Sequence, residues 1–214
     1  MKALVMGGSG TIGSAIVDRL LTDGYEVIVH YNKSNIETIT KRYEQKSVQF
    51  VKCDLTQCND LDKAFAFIKN LDCLIYASGS ALYGQLQDMT DEMIDSSYQI
   101  HVRQFIRTSR YFADQLRQST NGRIIVISSI WGETGSSMET VYSAMKGAQI
   151  SFVKALSQEL AMTNVTVNAI APGFVSGNMT QVWTADELSE ITKELPQQRL
   201  IEPEEIAHTC SYLC

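Results

Sequence analysis

The chain is short of positive charge. It carries 18 lysines and arginines against 24 aspartates and glutamates, a formal net charge of −6 at pH 7, with no basic stripe. Binding to a phosphate backbone releases counterions from clustered cations, so no nucleic-acid partner is expected. No apolar run approaches the length of a membrane span, and no membrane partner is expected either. Met1-Lys-Ala-Leu-Val-Met6 is too short for a signal peptide and runs straight into a glycine loop. The five cysteines (Cys53, Cys58, Cys73, Cys210 and Cys214) lack metal-ligand spacing, so no metal is expected. An odd cysteine count without a secretory signal fits reduced thiols in the cytoplasm. Linkers, repeats and low-complexity segments are missing too, and residues 1–214 are expected to form a single domain.

What the chain does contain is an alternation of short β-branched runs with amphipathic stretches. Residues 3–6, 26–30, 48–52, 73–76, 123–128 and 166–171 read as buried parallel strands. Helices are predicted after the first glycine loop, with Ile12, Ile16, Leu20 and Leu21 inward, and over 34–43 and 61–68. Further helices are predicted from Thr90 to about Gln118, over 140–162, within 179–195 and from Pro203 onward. This order predicts an α/β fold: one Rossmann-type doubly wound parallel sheet with helices on both faces.

The glycine loop Gly7-Gly-Ser9-Gly-Thr11-Ile12-Gly13 sits between the first strand and the first helix. Strand, glycine turn and helix start make a dinucleotide cradle, because glycines admit close backbone approach and the helix end offers free N–H groups. NAD would be held by a carboxylate at the end of the second strand. Tyr31, Asn32 and Lys33 stand there instead, and Lys33 with Ser9 suits a 2′-phosphate. NADP is therefore the expected cofactor, with NAD as the alternative.

The stretch from Ser129 to Lys146 carries the chemistry. The fifth strand delivers Ser129 at its carboxyl end, and Thr140 can cap a helix whose first turn holds Tyr142. Lys146 follows one helical turn later on the same face. A phenol with a pKa of about 10 is a poor acid at neutral pH, and a neighbouring cation is expected to lower it. A serine hydroxyl beside it would hold a carbonyl oxygen. This suits carbonyl reduction.

Ser129…Tyr142-x-x-x-Lys146 together with the glycine loop resembles the short-chain dehydrogenase/reductase family, over nearly the whole chain. The resemblance implies Ser129, Tyr142 and Lys146 as catalytic residues, with His101 where the family has an asparagine that positions a relay water. A buried histidine satisfied by backbone carbonyls is the equal alternative for His101. Gly7 and Gly13 match the family's cofactor loop, and Thr11 replaces its middle glycine. Asp54, followed by Leu55, matches an adenine-binding aspartate, and a capping role is the alternative. Tyr76-Ala77-Ser78-Gly79 occupies the place of Asn-Asn-Ala-Gly, so the side-chain bonds that usually pin this strand are expected to be missing. Pro172-Gly173-Phe174-Val175 resembles the turn beside the nicotinamide, where Gly177 replaces a threonine contact.

Residues 179–195, with Trp183, map to the family's substrate-covering segment. The family's seventh strand has no counterpart here, and its long helices imply a homo-oligomer, a dimer or tetramer. Its 3-oxoacyl-acyl carrier protein reductases suggest one ketone substrate. Ser128-Ser-Ile-Trp131-Gly-Glu133-Thr-Gly and Ile100-His101-Val102 look closer to the elongation factor P 5-aminopentanone reductases. Trp131 and Glu133 would then meet a substrate on that translation factor, Glu133 pairing with its amine; loop packing and an exposed charge are the plain alternatives. A non-catalytic NADP-sensing module is the reading from another class, opposed by the presence of both Tyr142 and Lys146.

Overall fold

β1 (Lys2–Met6) shows why the sheet is covered on both sides. Ala3 and Val5 pack into one core and Leu4 and Met6 into the other, all without exposure. Successive side chains of a strand point to opposite faces, so an unbroken apolar run needs two covering layers. The structure is a computed structural model that describes every residue except 45, 58–60, 178–179 and 181–182, and the side chain of Ala185.

The other strands are β2 (Glu26–Tyr31), β3 (Val48–Lys52), β4 (Cys73–Tyr76), β5 (Arg123–Ile127) and β6 (Thr166–Ile170). They form one parallel sheet in the order β3-β2-β1-β4-β5-β6. The winding reverses between β1 and β4, which opens a crevice beyond their carboxyl ends. The expected doubly wound α/β sheet is present, with six strands among the described residues.

On one face lie α1 (Thr11–Thr22), α2 (Ile36–Arg42) and α9 (Pro203–Leu213), contributing Ile16, Leu20, Ile39 and Ile206. On the other lie α3 (Leu61–Phe65), α5 (Gln104–Gln118) and α7 (Thr140–Glu159), contributing Phe65, Phe105, Phe112 and Val153. α4 (Asp91–Tyr98) and α6 (Trp131–Thr134) pack against α7, and α8 (Ala185–Glu194) follows β6 in the chain. Cys53, Cys73 and Cys210 are buried free thiols and Cys214 is half-buried, as expected; Cys58 falls outside the described residues. Among the described residues there is no group of metal-ligating side chains, and no helix is long and apolar enough to cross a membrane.

Three local departures bear on function. The helix expected from Thr90 to Gln118 is interrupted by a π-turn at Gln99–Arg103. Its loosened carbonyls are taken by side chains of neighbouring elements: the Tyr76 hydroxyl donates to Ile100, and Gln149 Nε2 donates to His101 at 2.8 Å. Apolar periodicity does not register a single extra residue in a turn, and such turns cluster at functional sites. α7 is capped by Glu139 in place of Thr140, without a side-chain cap bond. Met138, just before it, adopts a left-handed φ of 66°. α2 and α3 are shorter than their sequence patterns predict.

Candidate active site

The floor of the crevice is built from the glycine loop. Gly7 has a φ of 74°, and its N–H donates to His30 Nδ1 at 3.0 Å. His30 in turn donates from Nε2 to the Cys53 carbonyl at 2.9 Å, so one ring ties the loop to the ends of β2 and β3. A side chain at Gly13 would put its Cβ 2.1 Å from the Gly7 carbonyl oxygen, and one at Gly7 would meet the Ser78 backbone at 2.8 Å. The cradle is backbone against backbone. α1 starts at Thr11 with no side-chain cap, leaving amide groups directed at the crevice.

A cavity of about 560 Å³ runs over this floor, lined in part by Gly7, Ser9, Tyr31, Asn32, Lys33, Asp54, Leu55, Ala77, Ser78 and Gly79. A second, of about 230 Å³, continues past Thr11, Ile12, Gly13, Ala77, Gly79, Val175 and Gly177. The expected cofactor residues are thus gathered in one trough, apart from Tyr142, Lys146, Pro172 and Gly173, which are not among those lining either cavity. Pro172 accepts a 3.0 Å bond from the Ile130 N–H, holding the turn beside Ser129. Gly177 has a φ of 143°, and a Cβ there would strike Thr11 at 2.4 Å, so the missing threonine lets this segment close on α1. Asp54 accepts from the Thr56 N–H and hydroxyl at 2.9 and 2.7 Å, which holds its carboxyl below the usual range. The Ser78 hydroxyl is buried without a partner among the described residues. Trough, helix end, stripped glycine wall and unsatisfied hydroxyl together fit a nicotinamide dinucleotide.

One expectation about this wall is corrected. Tyr76 replaces an asparagine without leaving β4 unpinned. Its ring is fully buried against Phe105, with centroids 5.1 Å apart, and its hydroxyl reaches the Ile100 carbonyl. The larger side chain spans to the π-turn.

Tyr142, Lys146, Ser129 and His101 gather beside Gly79, which lines both cavities and whose Cβ position lies 3.0 Å from His101 Nε2 and 3.8 Å from the Lys146 ammonium, and all four are buried. The Lys146 ammonium lies 5.5 Å from the Tyr142 ring centroid and donates to the Ile127 carbonyl at 2.8 Å. The Ser129 hydroxyl lies close enough to the Tyr142 phenol to act on its acidity, and it accepts the Trp131 N–H at 3.2 Å. His101 meets Tyr142 edge-on at 5.5 Å. Its Nδ1–H donates to the Ser97 carbonyl at 3.0 Å, and Nε2 accepts the Ser80 N–H at 3.2 Å. His101 is therefore the backbone-satisfied core histidine of the plain alternative, with both ring nitrogens bonded to the backbone and its ring against the phenol.

The expected electrostatics are overturned. Burial pushes the Tyr142 phenol up to about 12, against the Ser129 hydrogen bond and with help from the Glu139 carboxylate. Burial also pushes Lys146 down to about 7. A cation lowers a neighbour only while it is charged, and here the interior discourages both charges. The phenol is consequently a firmly protonated donor at neutral pH.

The substrate side is bounded by aromatic rings. Trp131 meets Phe174 edge-on at 5.8 Å, and Phe174 meets Trp183 at 5.8 Å. Glu133 is exposed on α6, which favours the plain reading of a solvated charge; the acid acting on the phenol is Glu139. Part of the expected covering segment, Met179 included, lies outside the described residues. Sequence reasoning missed His30, Phe174 and Glu139. His30 gave no signal beyond a polar residue in an apolar run, while Glu139 was marked by its place three residues before Tyr142.

His30 and His101 set an acid limit on stability. Burial lowers them to about 4 and about 3, below the ordinary 6.5. The unfolded chain therefore binds protons first, and their contribution is complete above pH 6.5 and lost as pH falls toward those values. Urea titrations at pH 6.5 and pH 5 are expected to differ by roughly 2 kcal/mol per histidine. Equal midpoints at the two pH values would contradict this.

Comparison with known proteins gives one answer throughout. The family model described as short chain dehydrogenase matches residues 1–188. The oxidoreductase YmfI of Bacillus subtilis (strain 168) is 36% identical over 218 residues, covering 99% of this chain and 90% of its own. Acetoacetyl-CoA reductase of Cupriavidus necator is 30% identical, covering 99% and 89%. Among solved structures, a single-site variant of actinorhodin polyketide ketoreductase with NADPH superposes with a TM-score of 0.91 at 27% identity, covering 99% of this chain and 89% of that one.

Proposed function

The chain belongs to the short-chain dehydrogenase family, and on that premise we propose an NADPH-dependent ketoreductase acting on the 5-aminopentanone group of modified elongation factor P. The observation that carries ketone reduction is the meeting of Ser129, Tyr142 and Lys146, with the Lys146 ammonium beside Gly79, a residue of both cavities.

When bound, reduced nicotinamide supplies a hydride to a carbonyl carbon. Gly7, Gly13 and the start of α1 would hold its pyrophosphate, with Asp54 and Leu55 at the adenine end. The Tyr142 hydroxyl donates the proton that the carbonyl oxygen receives. Ser129 orients that oxygen and stabilises charge developing on it. Lys146 is fixed by Ile127, with donors left for a ribose hydroxyl and for the phenolate formed when the proton leaves. His101 keeps α4 and the 79–80 turn against the phenol, and in its neutral form adds no repelling charge to Lys146.

NADPH is favoured over NADH by the residues closing β2. Tyr31, Asn32 and Lys33 line the larger cavity, and Ser9 accepts a hydrogen bond from Ser34 at 2.9 Å beside them. β2 itself ends without a carboxylate, and Asp54 is the acid beside Asn32 and Lys33. The aminopentanone substrate rests on the likeness of 128–135 and 100–102 to that reductase group. It implies a cytoplasmic partner protein, and we propose a homo-oligomer because Tyr98 and Ile106 are 42% and 38% exposed on the long helices. A 3-oxoacyl thioester is the second reading, favoured by the relative named as an acetoacetyl-CoA reductase.

The test follows NADPH and NADH oxidation with modified elongation factor P and with acetoacetyl-CoA. Turnover of the protein substrate with NADPH, at least tenfold above either NADH or the thioester, is the expected result. Preference for the thioester replaces the first reading by the second; preference for NADH removes the assignment to Lys33 and Ser9.

A further inference from the structure

Three of the four described cysteines gather where β4 begins. Cys73 opens β4, Cys210 lies in the last turn of α9 and Cys214 follows one turn later, all in the core on that face of the sheet. The Cys73 and Cys214 sulfurs stand 3.3 Å apart, although the residues are 141 positions apart in the chain. Both residues are fixed by backbone bonds. Cys73 is in register with Ala3 on one neighbouring strand and Arg123 on the other. The Cys214 N–H donates to the Cys210 carbonyl at 3.1 Å, and the Cys214 carbonyl accepts from Asn121 Nδ2 at 2.9 Å. Neither thiol lines the trough, so ketone reduction has no use for them.

Geometry selects one pair of the three. A disulfide needs Cβ atoms about 3.5–4.5 Å apart and sulfurs about 2.05 Å apart. Residues four apart on a helix carry Cβ atoms about 5–6 Å apart, so Cys210 and Cys214 cannot close a bond without unwinding the end of α9. Cys73 approaches from the sheet instead, and its sulfur needs to move by only roughly 1 Å. The charges agree with this choice. Cys214 is half-buried, while Cys73 and Cys210 are buried. The neighbouring Cys210 and Cys73 thiols, and then the Arg123 guanidinium, hold the Cys214 thiol below its ordinary value against the effect of burial. Burial holds Cys73 well above. A thiolate is the form that attacks an oxidant, and a thiol beside it resolves the product.

We propose that Cys73 and Cys214 form a reversible oxidation site, closed to a disulfide by hydrogen peroxide. The Cys214 sulfur attacks one peroxide oxygen and the O–O bond breaks. This leaves a sulfenic acid on Cys214 and a hydroxide that takes up a proton to become water. The Cys73 sulfur then attacks the Cys214 sulfur; the S–S bond forms, the S–O bond breaks, and the second water leaves with the Cys73 proton. Two thiols give up two electrons and the peroxide is reduced to two waters. A dithiol reductant restores the thiols by exchange. The bond ties α9 to β4, the strand that leads to Ala77, Ser78 and Gly79 of the trough.

The experiment treats the reduced chain with a tenfold excess of hydrogen peroxide, blocks remaining thiols with iodoacetamide in urea and digests with trypsin. Cleavage after Lys69, Arg103 and Arg199 releases Cys73 in residues 70–103, and Cys210 with Cys214 in residues 200–214. The expected product is these two peptides linked, two hydrogens lighter than their sum. Fragmentation should place the bond at Cys214 with Cys210 alkylated, and dithiothreitol before blocking should remove it. Cys210→Ser is expected to keep the linkage, while Cys73→Ala and Cys214→Ser each abolish it. The wild-type fragments decide the matter even where a variant fails to fold. A bond through Cys210, a sulfinic acid on Cys214 with Cys73 still a thiol, or full alkylation of both after peroxide overturns the assignment.

Discussion

Tyr142→Phe is expected to lower kcat by roughly 10³-fold, within the usual range for removing a positioned general acid. Affinity for NADPH should stay within about threefold of wild type. The substitution deletes one oxygen and keeps the ring that packs edge-on against His101 at 5.5 Å and beneath the Lys146 ammonium. Fold and trough therefore remain, and only the proton source goes. Ser129 keeps its bond from the Trp131 amide and can hold a carbonyl, but a serine hydroxyl does not replace a phenol as an acid. Single-turnover mixing with saturating NADPH separates the chemical step from binding. Turnover within tenfold of wild type would falsify the assignment of Tyr142 as donor.

The protonation states give that prediction a direction. With the phenol near 12 and Lys146 near 7, the free protein at neutral pH is loaded as a proton donor. Ketone reduction uses that state directly. Alcohol oxidation needs the phenolate, so its rate in this protein should climb with pH across the alkaline range while reduction does not.

Gly13→Ala is the second large effect, acting through sterics alone. The added carbon would lie 2.1 Å from the Gly7 carbonyl oxygen and 2.9 Å from the Gly8 Cα, both backbone atoms. Gly7 has nowhere to retreat, because its amide is bound to His30 and its Cα faces Ser78. The loop or α1 must shift, and the amides that would face a pyrophosphate shift with it. A loss of about 3 kcal/mol in stability is expected, at the upper end for an overpacked site. NADPH affinity should drop at least 100-fold in a fluorescence titration. Gly10→Ala is the control, since its Cβ would stand 3.3 Å from the same oxygen, where a few tenths of an ångström suffice. If the two variants bind NADPH alike, the close contact is not what shapes the cradle.

The sequence by itself determined the layers and the order of strands and helices along the chain. Apolar runs of strand length admit little but a sheet covered twice, and a glycine loop between β1 and α1 admits little but a close backbone approach. It also determined that Tyr142 and Lys146 share a face, since helical spacing is local geometry. The sign of their electrostatics was decided elsewhere. Burial of both groups by β5, α4 and the π-turn reversed the expected lowering of the phenol, because desolvation depends on everything around a group and not on its nearest charge in the chain. Tertiary structure likewise made Tyr76 a pin and His30 a clamp on the glycine loop. Each of these roles is fixed by an atom more than a helical turn away or by the solvent it excludes, and residue order carries no record of either.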